Sequence, residues 1–198
     1  QRIEKICRKG LKKEKPDVRK IQYQHWLQQA LNNLGLIYID FGYYEKAVDF
    51  LHESYSLAET GNDTTGKAFA LNNLGIAYRE LDDHSKSLKY YLKALAIDPD
   101  SSGYGSYYNN IGLCYADLKM PDSAMIFYRK SIEISKLGRE SHNLGNSFTN
   151  VGDIKQLEHD FDSAEYYYNL ALDVYAELQS LKGISYTNSQ IGQVYLAR

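Results

Sequence analysis

Apolar residues recur along this chain at three- and four-residue steps, in blocks separated by short polar turns. Leu31, Leu34, Ile37 and Tyr38 fall on one face of a helix, and Ala47, Phe50, Leu51, Ser54 and Leu57 on one face of another. Between them lies Asp40-Phe41-Gly42-Tyr43, where Gly42 can take the left-handed conformation that ends a helix. Thr60-Gly61-Asn62-Asp63 closes the second block with a turn-rich run. The pattern predicts two helices folded back on one another.

The block then returns. ALNNLGLIYIDFGYYEKAVDFL from Ala30 is followed by ALNNLGIAYRELDDHSKSLKYYL from Ala70 and YYNNIGLCYADLKMPDSAMIFYR from Tyr107. A looser copy starts at Ser147, and its opening half comes round once more as TNSQIGQVYLAR. The anchors Leu34, Leu74, Ile111, Val151 and Ile191 are 40, 37, 40 and 40 residues apart. A repeat of that length is one supersecondary unit stacked on the next, with a core that runs along the stack. The predicted units are 21–62, 63–100, 101–139 and 140–179, with 180–198 the first helix of a fifth or a capping helix. Residues 1–20 are expected to form a basic helix, the remnant of a preceding unit, in which Ile3, Ile6 and Cys7 share a face near Leu11 and Lys15-Pro16-Asp17 makes the break. A disordered basic tail is the alternative.

Gly35, Gly75, Gly112, Gly152 and Gly192 sit mid-helix, where glycine costs about 1 kcal/mol against alanine. The expectation is that a second helix backbone approaches there, through the small residues Ala47, Ser87, Ala124 and Ala164, with Leu51, Tyr91, Tyr128 and Tyr168 filling the spaces between. Cys114 shares its repeat position with Ile37, Ala77, Ile154 and Val194, all expected in the core.

Leu/Ile-Gly-x-x-Tyr, then Ala, then Leu/Tyr four residues later, resembles the tetratricopeptide repeat over about residues 22–198, and Pro99 stands where that motif often closes. The resemblance implies an all-α, right-handed superhelical solenoid of antiparallel helix pairs. Departures are local: Leu31, Leu71, Tyr108, Phe148 and Asn188 hold the usual Trp position, and Lys155 replaces the tyrosine of the fourth copy, which is expected to pack less tightly. The period exceeds the usual 34 residues of the family, and Gly66, Gly105, Gly145 and Gly183 are expected in the lengthened turns. This long form is similar to the repeats of kinesin light chain, of LGN-type adaptors, and of bacterial peptide-sensing or sensor-protein arrays.

Charge and composition narrow the functions. The net charge of −2 gives no overall footprint for nucleic acid, although residues 1–20 carry nine Lys/Arg against three acidic residues. That basic end reads as a solvated helix face, with lipid headgroups or nucleic acid as the alternative contact. No apolar run approaches the ~18 residues of a membrane span. Cys7 and Cys114 are not spaced as a metal or redox pair, and the histidines (His25, His52, His84, His142, His159) fall at no metal-ligand spacing. No cofactor, metal or catalytic residue is assigned, and Asp82-Asp83 is expected to cap a helix. The chain begins without Met and stops inside a unit, so it reads as an excerpt of a longer protein whose compartment is left unassigned.

The asparagines carry the functional expectation. Asn33, Asn73, Asn110 and Asn150 precede each anchor, with Gln190 in the fifth copy, and Asn32, Asn72 and Asn109 stand one residue earlier. Asparagine is a mediocre helix-interior residue, and its amide offers both donor and acceptor, which suits a peptide backbone. In the long-repeat adaptors that the array resembles, an asparagine ladder at the matching position holds an extended peptide; tying adjacent helices together is the alternative. Four such bonds supply a net ~2–6 kcal/mol, whereas a micromolar complex needs about 8 kcal/mol. Neighbours such as Phe69, Ile76, Leu113 and Asp153 are therefore expected to add side-chain contacts. The reading is a peptide- or protein-binding scaffold, not an enzyme. Self-association through the array ends and a sensor role beside an effector domain are the alternatives.

Overall fold

A computed structural model describes residues 2–11, 18–97, 105–138 and 141–198. They form α1 (Arg2–Leu11), α2 (Val18–Asp40), α3 (Tyr44–Thr60), α4 (Thr64–Glu80), α5 (His84–Ile97), α6 (Gly105–Asp117), α7 (Pro121–Gly138), α8 (Ser141–Leu157), α9 (Phe161–Glu177) and α10 (Leu181–Ala197), and no strand among the described residues. The fold is all-α, as the periodicity predicts. Two compact units divide it, Gln1–Pro99 and Asp100–Arg198. In the first, α2/α3 and α4/α5 are hairpins and α1 packs on α2; in the second, α6/α7 and α8/α9 are hairpins and α10 packs on α9 and α8. The breaks expected at Lys15-Pro16-Asp17 and Pro99 lie outside the described residues.

The turn inside each hairpin is the same. Gly42, Asp82, Lys119 and His159 occupy one repeat position and all have φ between 53° and 76°, as do Asn62 and Gln179 in turns that lead to the next hairpin. Only the first is glycine, so five side chains accept a conformation that costs an L-residue roughly 1–2 kcal/mol. Capping residues offset part of this. Asp63, Asp83, Asp160 and Ser180 accept hydrogen bonds from the backbone N–H of Gly66, Lys86, Ser163 and Gly183, three residues on, each worth about 1 kcal/mol. Asp83 is thus a cap, while Asp82 is the turn.

The hairpins interlock differently from the sequence expectation. A Cβ on Gly35 would meet the Leu51 side chain at 2.6 Å; on Gly75, Gly112 and Gly152 it would meet the rings of Tyr91, Tyr128 and Tyr168 at 2.4–2.5 Å. The glycines make room for the large residue of the second helix, not for its backbone. Leu51, Tyr91, Tyr128 and Tyr168 are consequently buried, and burying such a side chain contributes about 1.5–3 kcal/mol. Small positions do other work. The hydroxyl of Ser87 donates to the Gly75 carbonyl (2.8 Å), and those of Ser54 and Ser131 to the carbonyls of Gln28 and Gly105.

Three further expectations change. Gly66, Gly105 and Gly183 lie in the first turns of α4, α6 and α10, and Gly145 is the fifth residue of α8, so all four are inside helices instead of between them. Gly145 and Gly183 flank the Tyr175 ring from two helices, with Cβ positions 2.7 and 2.5 Å from it. Ile37 is 48% exposed while Ala77, Cys114, Ile154 and Val194 are buried. There α1 packs on α2 where Cys7 meets Leu27 and Leu31, and Leu34, Ile37, Tyr38, Phe41 and Tyr43 line a shallow apolar groove. The fourth copy is not loose, since Val151, Ile154 and Tyr168 are all buried. Tyr38, Tyr78 and Tyr115 contact Phe50, Tyr90 and Phe127 at centroid distances of 5.1–5.3 Å. Where Lys155 replaces that tyrosine, Tyr167 turns to Phe148 and Tyr166 instead.

Candidate functional site on the first helices

In the first unit, α2 and α4 leave a cleft of about 510 Å³ between them, lined by His25, Gln28, Gln29, Asn32, Asn33 and Leu36 on one side and Asp63, Thr65, Gly66, Phe69 and Asn73 on the other. Its polar wall is cross-linked. Asn73 Nδ2 donates to Asn32 Oδ1 at 3.0 Å, and Asn72 Nδ2 to Asn73 Oδ1 at 3.3 Å. Gln28 Nε2 donates to the Ser54 hydroxyl. His25 Nδ1 stands 3.3 Å from Asp63 Oδ2, and its Nε2 is 2.9 Å from Gln29 Nε2. Phe69 is 46% exposed and forms the apolar part of the rim with Leu36.

The second unit repeats the amide link at the same positions. Asn150 Nδ2 donates to Asn109 Oδ1 at 2.9 Å, and the Ser147 hydroxyl donates to the same oxygen at 3.2 Å. Asn72, Asn73 and Asn109 are buried. The row of asparagines therefore joins consecutive first helices within each unit, and its buried members have their amides turned to the protein. Asn33 is exposed on the cleft wall, while Asn32, Asn110 and Asn150 are half-buried. Of the residues expected to add contacts, Phe69 lies in the cleft and Ile76 is half-buried outside its lining. Leu113 packs instead on the core of Ala124, Met125, Tyr128, Val151 and Ile154.

Asp153 and Gln190 come together in a different arrangement. Asp153 takes the repeat position that holds Leu36, Ile76 and Leu113 in earlier copies. The Tyr168 hydroxyl stands 2.8 Å from both Asp153 Oδ1 and Gln156 Oε1, and its single proton goes to the carboxylate, the stronger acceptor. Gln190 Nε2 donates to Asp153 Oδ1 (3.3 Å) and to the Tyr186 hydroxyl (2.9 Å), and that hydroxyl is 3.5 Å from Asp153 Oδ2. Tyr175 donates to Asn146 Oδ1 at 2.7 Å. Burial raises the Asp153 pKa above the usual carboxylate range, against the smaller opposing effect of its hydroxyl and amide donors. Burial, and then the neighbouring carboxylate, likewise raise the Tyr168 and Tyr186 phenols.

Sequence reasoning missed His25, Asp63 and Tyr168 as parts of these faces. Asp63 reads as part of a turn and Tyr168 as filling the hairpin; Asp63 caps α4 and Tyr168 is buried, yet each also brings a polar atom to these faces. The signal for Tyr168 was the pair Gly152-Asp153: a glycine lets the ring cross the hairpin, and the next residue offers its hydroxyl an acceptor.

Among the described residues no group of three or more potential metal ligands occurs, and no helix is long and apolar enough to cross a membrane. The tetratricopeptide repeat family profile matches residues 26–100 and 103–177. No curated protein sequence matches the chain. The chain is similar in fold to BtubC (BKLC) from P. vanneervenii, with 19% identity over 99% of this chain and 80% of that one and a TM-score of 0.81. Its fold is also similar to that of apo RapI (14% identity, 89% and 63% covered, TM-score 0.72). A third similar structure is aspartyl phosphate phosphatase F from Bacillus subtilis (18% identity, 89% and 46% covered, TM-score 0.73). With the profile matched over most of its length and the hairpin packing it requires in place, the chain belongs to the tetratricopeptide repeat family, an α-helical fold of protein-interaction scaffolds.

Proposed function

We propose that the chain is a non-catalytic binding scaffold that captures an extended segment of a partner protein on its first helices, with the α2/α4 cleft of the first unit as the principal seat. The observation that carries this is the composition of that cleft: neutral amides on the wall, an exposed aromatic ring on the rim, and a volume of about 510 Å³. Asn32 spends its carbonyl on Asn73 and keeps its amide protons for a guest, and exposed Asn33 keeps both groups. Such groups recognise a peptide backbone without regard to its side chains, while Phe69 and Leu36 supply the apolar contact that hydrogen bonds alone leave short.

The test is selection of a displayed library of short random peptides against the whole chain, followed by binding of the selected peptides to Phe69→Ala and Asn33→Ala. Binding is expected to fall about tenfold for each, with unchanged melting, because neither side chain belongs to the buried links. Selected peptides that bind both variants as tightly as the parent would place the partner surface elsewhere. Self-association is a second reading, favoured by the exposed Leu181 and Leu196 of α10. Sedimentation over a range of concentrations decides it, a constant monomer mass ruling it out.

A further inference from the structure

In the second unit we infer that Asp153, Tyr186 and Gln190 form a receptor for the guanidinium or ammonium group of a cationic side chain on a bound peptide. The inference rests on the scaffold reading only in taking the guest to be a peptide.

Three observations carry it. The first is a charge without a counter-charge. Every donor to Asp153 is neutral, namely Tyr168, Tyr186 and Gln190, and among the described residues no cationic side chain pairs with it. Lys155, two residues away, is taken by Glu158 at 2.7 Å. A partly buried carboxylate held this way is costly to the fold, and the position is apolar in earlier copies, so packing does not require it.

The second is unused acceptor capacity. Oδ1 receives Tyr168 and Gln190, but Oδ2 has only the Tyr186 hydroxyl at 3.5 Å, well beyond an ordinary O–H···O bond. Gln190 Oε1 in the same cluster is a buried acceptor with no donor. Its amide cannot be turned around, because both N–H groups are committed, to Asp153 Oδ1 and to Tyr186. The cluster thus lacks a donor, which an arginine fork with its five N–H groups or a lysine ammonium supplies at Oδ2.

The third is an aromatic wall. The Tyr186 ring is 51% exposed while its hydroxyl is tied to the cluster. A cation at Oδ2 would stand close to the Tyr186 side chain, whose hydroxyl is 3.5 Å from that oxygen, and an aromatic face attracts positive charge. Burial also raises the Asp153 pKa, and a cation at Oδ2 would oppose that shift.

The experiment titrates N-acetyl-arginine amide into the isotope-labelled 198-residue chain while the Gln190 side-chain NH₂ resonances are followed. N-acetyl-citrulline amide, which keeps the shape and lacks the charge, and free arginine are titrated alongside. A saturable shift is expected with the arginine amide, about tenfold or more weaker for citrulline and for Asp153→Asn. Asp153→Asn is also expected to melt no lower than the parent, since it removes a desolvated charge and keeps the acceptor for Tyr168. Equal shifts for arginine and citrulline, no saturable shift, or a shift that survives Asp153→Asn overturns the inference. A lower melting temperature for Asp153→Asn does so too, because the charge would then serve the fold. Binding of free arginine without the capped amide would overturn the assignment to a peptide. Phe69→Ala in the first unit leaves this titration untouched, so failure of the cleft reading and failure of this one are separable.

Discussion

The two units build their first-helix faces from the same repeat and end with opposite surfaces. In the first, Asn73 links to Asn32 and the remaining amides stand around an open cleft with Phe69 at its rim. In the second, the same link runs from Asn150 to Asn109, but three residues further along α8 an aspartate replaces the apolar residue and is joined by Tyr168, Tyr186 and Gln190. The lesson is that the repeated hairpin presents the same positions in each unit, and exchanges at three of them, to Asp153, Tyr186 and Gln190, give the second unit a carboxylate cluster where the first has neutral amides and apolar side chains.

Mutations can break this comparison at several strengths. Tyr168→Ala removes the ring that crosses the α8/α9 hairpin and the best donor to Asp153; a loss of about 3–5 kcal/mol is expected by urea denaturation. Next comes Gly152→Ala, whose new Cβ would stand 2.5 Å from the Tyr168 ring, at about 1–3 kcal/mol. Gly192→Ala sharpens the contrast, because nothing lies within 4 Å of that position. There the ordinary helix preference governs, and the variant should gain about 1 kcal/mol in the same measurement. A loss at position 192 would contradict the open surroundings described for it. Asn73→Ala, which cuts a buried link, should cost about 1 kcal/mol. Asn33→Ala on the exposed cleft wall should change stability by less than about 0.5 kcal/mol, leaving binding as its only readout.

The hairpins themselves were legible because helical periodicity, a polar turn and a repeat reinforce one another; each position was seen four or five times. What each position touches was less so. Spacing suggested that Gly75 faced Ser87, whereas the ring of Tyr91 lies over it and Ser87 reaches the Gly75 carbonyl. A list of small and large residues does not say which pair meets, since ring reach depends on rotamer and helix crossing. The exposure of Ile37 was hidden for a related reason: whether a repeat position is core depends on which helix lies over it, and α1 meets α2 at Leu27 and Leu31. The asparagines were found, but their direction was not readable. An amide satisfies a neighbouring amide or a guest with the same atoms, and only coordinates distinguish Asn73, buried on Asn32, from Asn33 in the cleft. The turns were partly hidden too. Lys119 and His159 hold the left-handed conformation without being glycine, and only their place at the repeat position of Gly42 pointed to it.

Tyr175, held between Gly145 of α8 and Gly183 of α10, has a consequence for how the second unit comes apart. Its ring packs against the α8/α9 hairpin and α10 at once, so α10 cannot peel away without uncovering the ring. Amide protons in α10 should therefore exchange with solvent through the same opening event as those of α8, and not by independent fraying. One phenyl ring makes neighbouring repeats a single cooperative block.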